Sequence, residues 1–237
     1  MAGDANADGS TSAINCDDSL GGACTDSQAL GLSLLGYAPA NAASTSTALA
    51  VGIDGGDDHD KIINKGVIDV SALARGNSRS LSITLVGASV ADATSTSTAT
   101  AMGLTGASGD DHIFNSSSIT VSAAAVGRAK SFGFSGIGGS DIDADVTTFA
   151  SAVGISGGSG NDKIVNSQQI TASTNAFGLA NSKSVNLVGQ SKATADASTT
   201  SSATGMDGGS QNDTLINLEL IVAKATSTAD VRRSTFN

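Results

Sequence analysis

The sequence predicts an all-β chain folded as a parallel β-solenoid (β-helix) built from 51-residue repeats. Three observations predict it. The first is the period. Asn64, Asn115, Asn166 and Asn217 stand 51 residues apart, as do Asp60, Asp111, Asp162 and Asp213. Two glycine columns keep the same step, Gly52, Gly103, Gly154 and Gly205, and Gly36, Gly87, Gly138 and Gly189. Self-similarity at such a period marks a solenoid, a propeller or an array. The second is a two-residue apolar period in runs rich in β-branched residues, with Pro39 as the single proline. The third is the lack of any 3.6-residue stripe in a chain of poor helix formers, Gly, Ser and Thr.

The 237 residues would allow one or two ordinary domains. The repeat argues for one body, because repeat proteins bury their core between neighbouring units. Aromatics are 3% of the chain, with no Trp and one Tyr, Tyr37. The interior is therefore expected to hold small side chains, with Ile, Val, Leu and a few Phe at set points. A net charge of −10 argues against nucleic acid, which requires a basic surface. It suits either solubility or cation binding. No stretch reaches about 18 apolar residues, so no transmembrane segment is expected. Cys16 and Cys24 fit either a disulfide of an oxidising compartment or two free thiols, and no Cys or His stands at zinc-ligand spacing.

Residues 1–51 read as an N-terminal cap or incomplete repeat. Full repeats follow at 52–102, 103–153 and 154–204, and 205–237 is a partial C-terminal repeat. Within the cap, Ala13-Ile14-Asn15 reads as a displaced copy of the Ile-Asn step. The register locks at Leu30, where Leu30, Leu32 and Leu34 match Leu81, Ile83 and Leu85. Strands are predicted at Ile62-Ile63, Val67–Val70, Leu81–Leu85 and Ala93–Met102. Turn signals stand near 55–58, 65–66, 76–77 and 87. Two coils of about 25 residues per repeat fit these signals best, giving a body about 45 Å tall at a rung spacing of about 4.8 Å. One wide coil would halve that height, and three short coils are a further option. A propeller would want a whole number of blades and blade-packing aromatics, and a membrane barrel would want aromatic girdles.

The turn before each Asn is the sharpest motif. Gly157-Gly158-Ser159-Gly160-Asn161-Asp162-Lys163-Ile164-Val165 fits the nonapeptide G-G-x-G-x-D-x-U-x, where U is a large apolar residue. The copies beginning at Gly55, Gly106 and Gly208 each depart from it at one glycine. This motif resembles the RTX, or haemolysin-type, calcium-binding repeat. The resemblance implies Ca2+ as the ion, a hard cation that takes oxygen ligands. It implies Asp60, Asp111, Asp162 and Asp213 as ligands, helped by Asp58 and Asp110, with Gly158 and Gly160 shaping the loop. Ions shared between turns require the turns to stack directly, which holds only if each repeat is one coil. The competing reading is that Asp and Asn close each turn through side-chain-to-backbone hydrogen bonds.

The Asn column reads as a hydrogen-bonded amide ladder along the axis. Thr45, Thr96 and Thr147, with Ser198, form one hydroxyl column, and Thr47, Thr98 and Thr200 another that Phe149 interrupts. Facing outward, they would resemble the Thr-x-Thr arrays of solenoid ice-binding proteins. An internal Thr ladder or a plain β-prone filler fits the pattern better. His59 and His112 occupy non-equivalent positions, and no Ser/His/Asp set stands out. The expected function is non-enzymatic and structural: a secreted or cell-surface stalk, an adhesin segment or a self-assembling fibre subunit, similar to bacterial extracellular β-solenoids. The partners expected are further copies joined end to end through uncovered strand edges. The alternative is a ligand-binding solenoid presenting Thr-rich strands to ice or a surface glycan.

Overall fold

The computed structural model describes residues 7–8, 10–14 and 22–237. Among them every regular element is a strand. In chain order these are β1 (Ala7–Asp8), β2 (Ser10–Ile14), β3 (Gly22–Asp54), β4 (Lys61–Asn64), β5 (Ile68–Thr105), β6 (His112–Asn115), β7 (Ile119–Ser159), β8 (Lys163–Asn166), β9 (Ile170–Ser210), β10 (Thr214–Asn217) and β11 (Ile221–Phe236). The long strands stack in parallel in the order β3-β5-β7-β9-β11, and the short ones stack as β10-β8-β6-β4. The chain is a parallel β-solenoid.

Each 51-residue repeat is one wide coil. Ile68 pairs with Ile119, Ile119 with Ile170 and Ile170 with Ile221, so every rung lies directly on its own copy. The two-coil expectation fails at residues 76–77. Gly76-Asn77 continues strand β5 instead of turning it. Gly76 is needed for packing across the coil, since a Cβ there would lie 2.6 Å from the Ser95 hydroxyl. At a spacing of about 4.8 Å the stack is about 20 Å tall, whereas the run from Ile68 to Thr84 alone is about 55 Å long. The body is thus much wider than it is tall.

That width comes from an arm folded on itself. Arm 1 runs out along Ile68–Thr84, bends at residues 85–88, and returns as arm 2 along Ser89–Thr105. The bend changes parity: even residues face inward up to Thr84, odd residues from Ser89. The arms face each other through small residues. The hydroxyls of Ser78, Ser80 and Ser82 donate to the carbonyls of Ala42 (2.6 Å), Ala40 (2.5 Å) and Ala38 (2.5 Å) on the rung before. Ser44 and Ser46 donate to Ser95 and Ser97 across the rung step at 3.2 and 3.1 Å. Larger side chains gather where the arms meet the short strands. There Ile68, Ile119, Val121, Leu104, Ile113, Ile155, Ile164 and Ile170 form the main core. None of the six Phe residues is buried, so the expected interior Phe positions are replaced by Ile, Val and Leu. An aromatic ring is too wide for a gap that alanine and serine fill.

The first rung departs from the expectations in two ways. Its register starts at Gly22, paired with Leu73, and not at Leu30. Ile14 lies in β2, antiparallel to β3 and opposite Cys24, so it is not a copy of the Ile-Asn step. No described cysteine is free, and Cys16 lies outside the described residues.

Candidate functional site

The glycine-rich turns sit between each long strand and the short strand that follows, and the one-coil geometry stacks them directly. Two positions in every turn take left-handed backbone. One is Gly56, Ala107, Gly158 and Gly209 (φ 95°, 71°, 105° and 93°), and the other is Asp58, Gly109, Gly160 and Gln211 (φ 78°, 122°, 139° and 87°). Glycine reaches this region freely, while other residues pay a steric cost. Gly158 and Gly160 therefore set the path of the loop. The Gly160 N–H is already committed to the Ser210 carbonyl of the next rung at 3.2 Å.

The fixed aspartates form a ladder. The backbone N–H of Asp60 donates to Asp111 Oδ1 at 2.7 Å, that of Asp111 to Asp162 at 2.8 Å, and that of Asp162 to Asp213 at 2.9 Å. Asp111 is fully buried and Asp162 is 2% exposed. The second oxygen, Oδ2, of Asp60, Asp111 and Asp162 is buried with no hydrogen-bond partner. A side chain at Gly106 or Gly157 would collide with that oxygen, so the first glycine of each turn makes room for the carboxylate. Burial holds the Asp162 carboxyl above its ordinary range. The N–H of Asp111 opposes this shift, and the neighbouring carboxylates of Asp111, Asp213 and Asp110 reinforce it.

The remaining carboxylates lie on the outer lip. Asp58 is exposed. Asp110 accepts the backbone N–H of Asn161 at 2.7 Å and its side-chain amide at 3.1 Å. The backbone hydrogen bond, then the side-chain one, holds the Asp110 carboxyl below its usual range. The His59 ring accepts the Asp110 N–H through Nδ1 at 2.7 Å. Asp54 and Asp207 close their own turns, accepting the N–H of Gly56 and Gly209 at 3.1 and 3.0 Å. Thus the expected turn-closing bonds exist at Asp54 and Asp207, while the fixed aspartates bond between rungs. Among the described residues no three His, Cys, Asp or Glu side chains are grouped as a metal centre would group them. The feature that fits a cation or a proton is the column of unpartnered Oδ2 atoms.

The Asn column is an unbroken amide ladder. The Nδ2 of Asn64, Asn115 and Asn166 each donates to Oδ1 of the next Asn at 2.7 Å. Asn115 and Asn166 also donate to the carbonyls of Ser117 (2.6 Å) and Gln168 (2.5 Å), closing the adjacent turn. The Thr columns face outward, so they form no internal ladder, one of the two readings favoured from sequence. Thr45, Thr47 and Thr147 are exposed, Thr96 and Thr98 half-buried, and the residues between them are the buried ones. Leu104 is buried although it shares the parity of Thr96 and Thr98 in the same rung: Gly103, Leu104 and Thr105 are all buried at the arm's end, where strict alternation lapses. No known family model, curated protein or solved structure matches this chain.

Proposed function

We propose that this chain is a structural solenoid segment, serving as a secreted or cell-surface stalk, adhesin portion or fibre subunit, and not as an enzyme. The observation that carries this reading is the uninterrupted axial ladder. Backbone, Asn and Asp columns all bond from rung to rung, which suits a body that bears load along its axis. The last rung leaves one side of Ile221–Phe236 without a strand partner among the described residues. Such an edge is a template for end-to-end assembly. Electron microscopy of concentrated protein tests this: axial filaments support the fibre form, and a strictly monomeric species rejects it.

The turns add Ca2+ to the proposal. Its support is the direct stacking of the RTX-like turns and the unpartnered buried Oδ2 of Asp60, Asp111 and Asp162. A native-state ligand at ten times its Kd stabilises by about 1.4 kcal/mol. A melt in millimolar Ca2+ is expected to run several degrees above a melt in chelator. Superimposable melts would leave the aspartate ladder as a metal-free element.

The outward Thr columns favour a second reading, a ligand-binding face for ice or glycan. Ice-recrystallisation inhibition or a glycan-array signal that disappears in Thr96→Lys would support it, and silence in both would remove it.

A further inference from the structure

The two broad faces of the arm carry opposite charge. On the outer face of arm 1 stand Arg75, Arg79, Arg128, Lys130, Lys183, Lys224 and Arg232, seven of the twelve Lys and Arg residues of a chain with net charge −10. Arg79 pairs directly with Lys130, so like charges stack. Among the described residues the acids on that face are Asp26, Asp69 and Asp230, and Asp230 is held by Arg232 at 2.7 Å. The outer face of arm 2 is the reverse. Asp92 pairs with Asp143, and Asp145 with Asp196. These four crowd one another: burial first, then the neighbouring carboxylates, raises the Asp92 and Asp145 carboxyls. The cations nearby are Lys192, which holds Asp141 at 3.2 Å, and Arg233, which reaches Asp196 at 3.1 Å.

Each face also carries an apolar zone at a matching offset. On arm 1, Leu30, Leu32 and Phe132 are exposed near the bend, ahead of Leu85. On arm 2, Leu49, Val51 and Phe149 are exposed near the base. Arg75 stands six residues before Leu81, the strand partner of Leu30 and Phe132, and Asp92 six residues before Thr98, the strand partner of Phe149. Six residues span about 20 Å on a strand. With the arms of two molecules pointing in opposite directions, bases lie over acids and apolar zone over apolar zone. Sheets laid face to face pack about 10 Å apart.

We propose that the arm-1 face of one molecule docks on the arm-2 face of a second copy of this chain. The occupant is another copy because both halves of the complementarity, charge and apolar zone, are present on one chain at one spacing. The contact joins two different patches, so it does not close on itself and builds a lateral stack of laminated molecules. It is independent of axial assembly through strand edges and of any ion at the turns.

Sedimentation velocity at about 10 mM and about 0.5 M salt tests the contact, since the screening length falls from about 30 Å to under 10 Å between them. Species larger than a monomer are expected at low salt, dissolving at high salt. Two variants sharpen the test, Arg79→Glu with Lys130→Glu and Asp143→Lys with Asp145→Lys. All four positions point outward, and matching circular dichroism melts establish that both variants fold. Each variant alone is expected to associate about tenfold more weakly or worse, because like charges then face each other. An equimolar mixture should regain association, since every contact is again between opposite charges. Three results would overturn the proposal: a wild-type monomer at low salt, association indifferent to salt, or a mixture no larger than its components. A wild type that binds phosphatidylserine vesicles while staying monomeric would likewise overturn it, and would assign the basic face to anionic membranes.

Discussion

At the residue scale, side chains here meet their own counterparts one rung away, so a single substitution breaks two contacts. Asn115 accepts from Asn64 and donates to Asn166, and it is 2% exposed. Asn115→Ala would strand the Asn64 amide and leave the Asn166 carbonyl oxygen with only the Gln168 N–H at 3.4 Å. Each buried unsatisfied group costs about 1–3 kcal/mol. A loss of about 2–5 kcal/mol is expected in urea unfolding, and a loss under about 1 kcal/mol would show that water replaces the ladder. Ala107 makes the opposite case, a residue whose replacement helps. It holds φ at 71° where the three other rungs place glycine at 95°, 105° and 93°. Ala107→Gly is expected to stabilise by about 1 kcal/mol, read as a rise in the urea midpoint at unchanged slope. The sequence pointed to both columns through spacing alone. It did not reveal that the first glycine of each turn seats a carboxylate, because that contact depends on where the chain folds back.

The arm is the element that makes the fold unusual, and its bend depends on one column of glycines. Gly87, Gly138 and Gly189 have φ of 130°, 138° and 137°, and a Cβ on any of them would strike the glycine of the rung before. Gly138→Ala thus combines a disfavoured backbone with a steric collision, and a loss above about 2 kcal/mol is expected. Gly139→Ala is the control: it has open space around its Cα and no left-handed backbone, so its unfolding curve should overlay the wild type. The strands, their alternation and the bend at Gly87 were legible in sequence because each leaves a local mark. The arm was not. Gly76-Asn77 carries the chemistry of a turn, yet it lies in a straight strand because the facing serines leave no room for a side chain. Only the partner strand distinguishes the two cases.

At the scale of the molecule, three aspartates set a pH dependence. The Asp92, Asp145 and Asp162 carboxyls lie above the ordinary value of 3.8, each through burial first. The unfolded chain therefore loses these protons at a lower pH than the folded one, so stability falls as pH rises from about 4 through the raised values. The Tm is expected to climb as a neutral solution is acidified toward pH 4. Asp92→Asn should raise the neutral Tm and flatten that slope, and a Tm that falls steadily on acidification would contradict the assignment. The period was read correctly at this scale, while the coil count was not, since 51 residues divide as readily into two rungs as into one. One rung per period also makes the length of this body quantised. Removing residues 103–153 would join Met102 to Gly154, the junction that Val153 already makes, and set β5 on β9 in unchanged register. That shortened chain should fold with one step missing from its height. Removing a single residue from an arm would instead turn the inward side chains of that arm beyond the cut out to solvent. The chain is thus written in whole pages, and tolerates the loss of a page better than the loss of a letter.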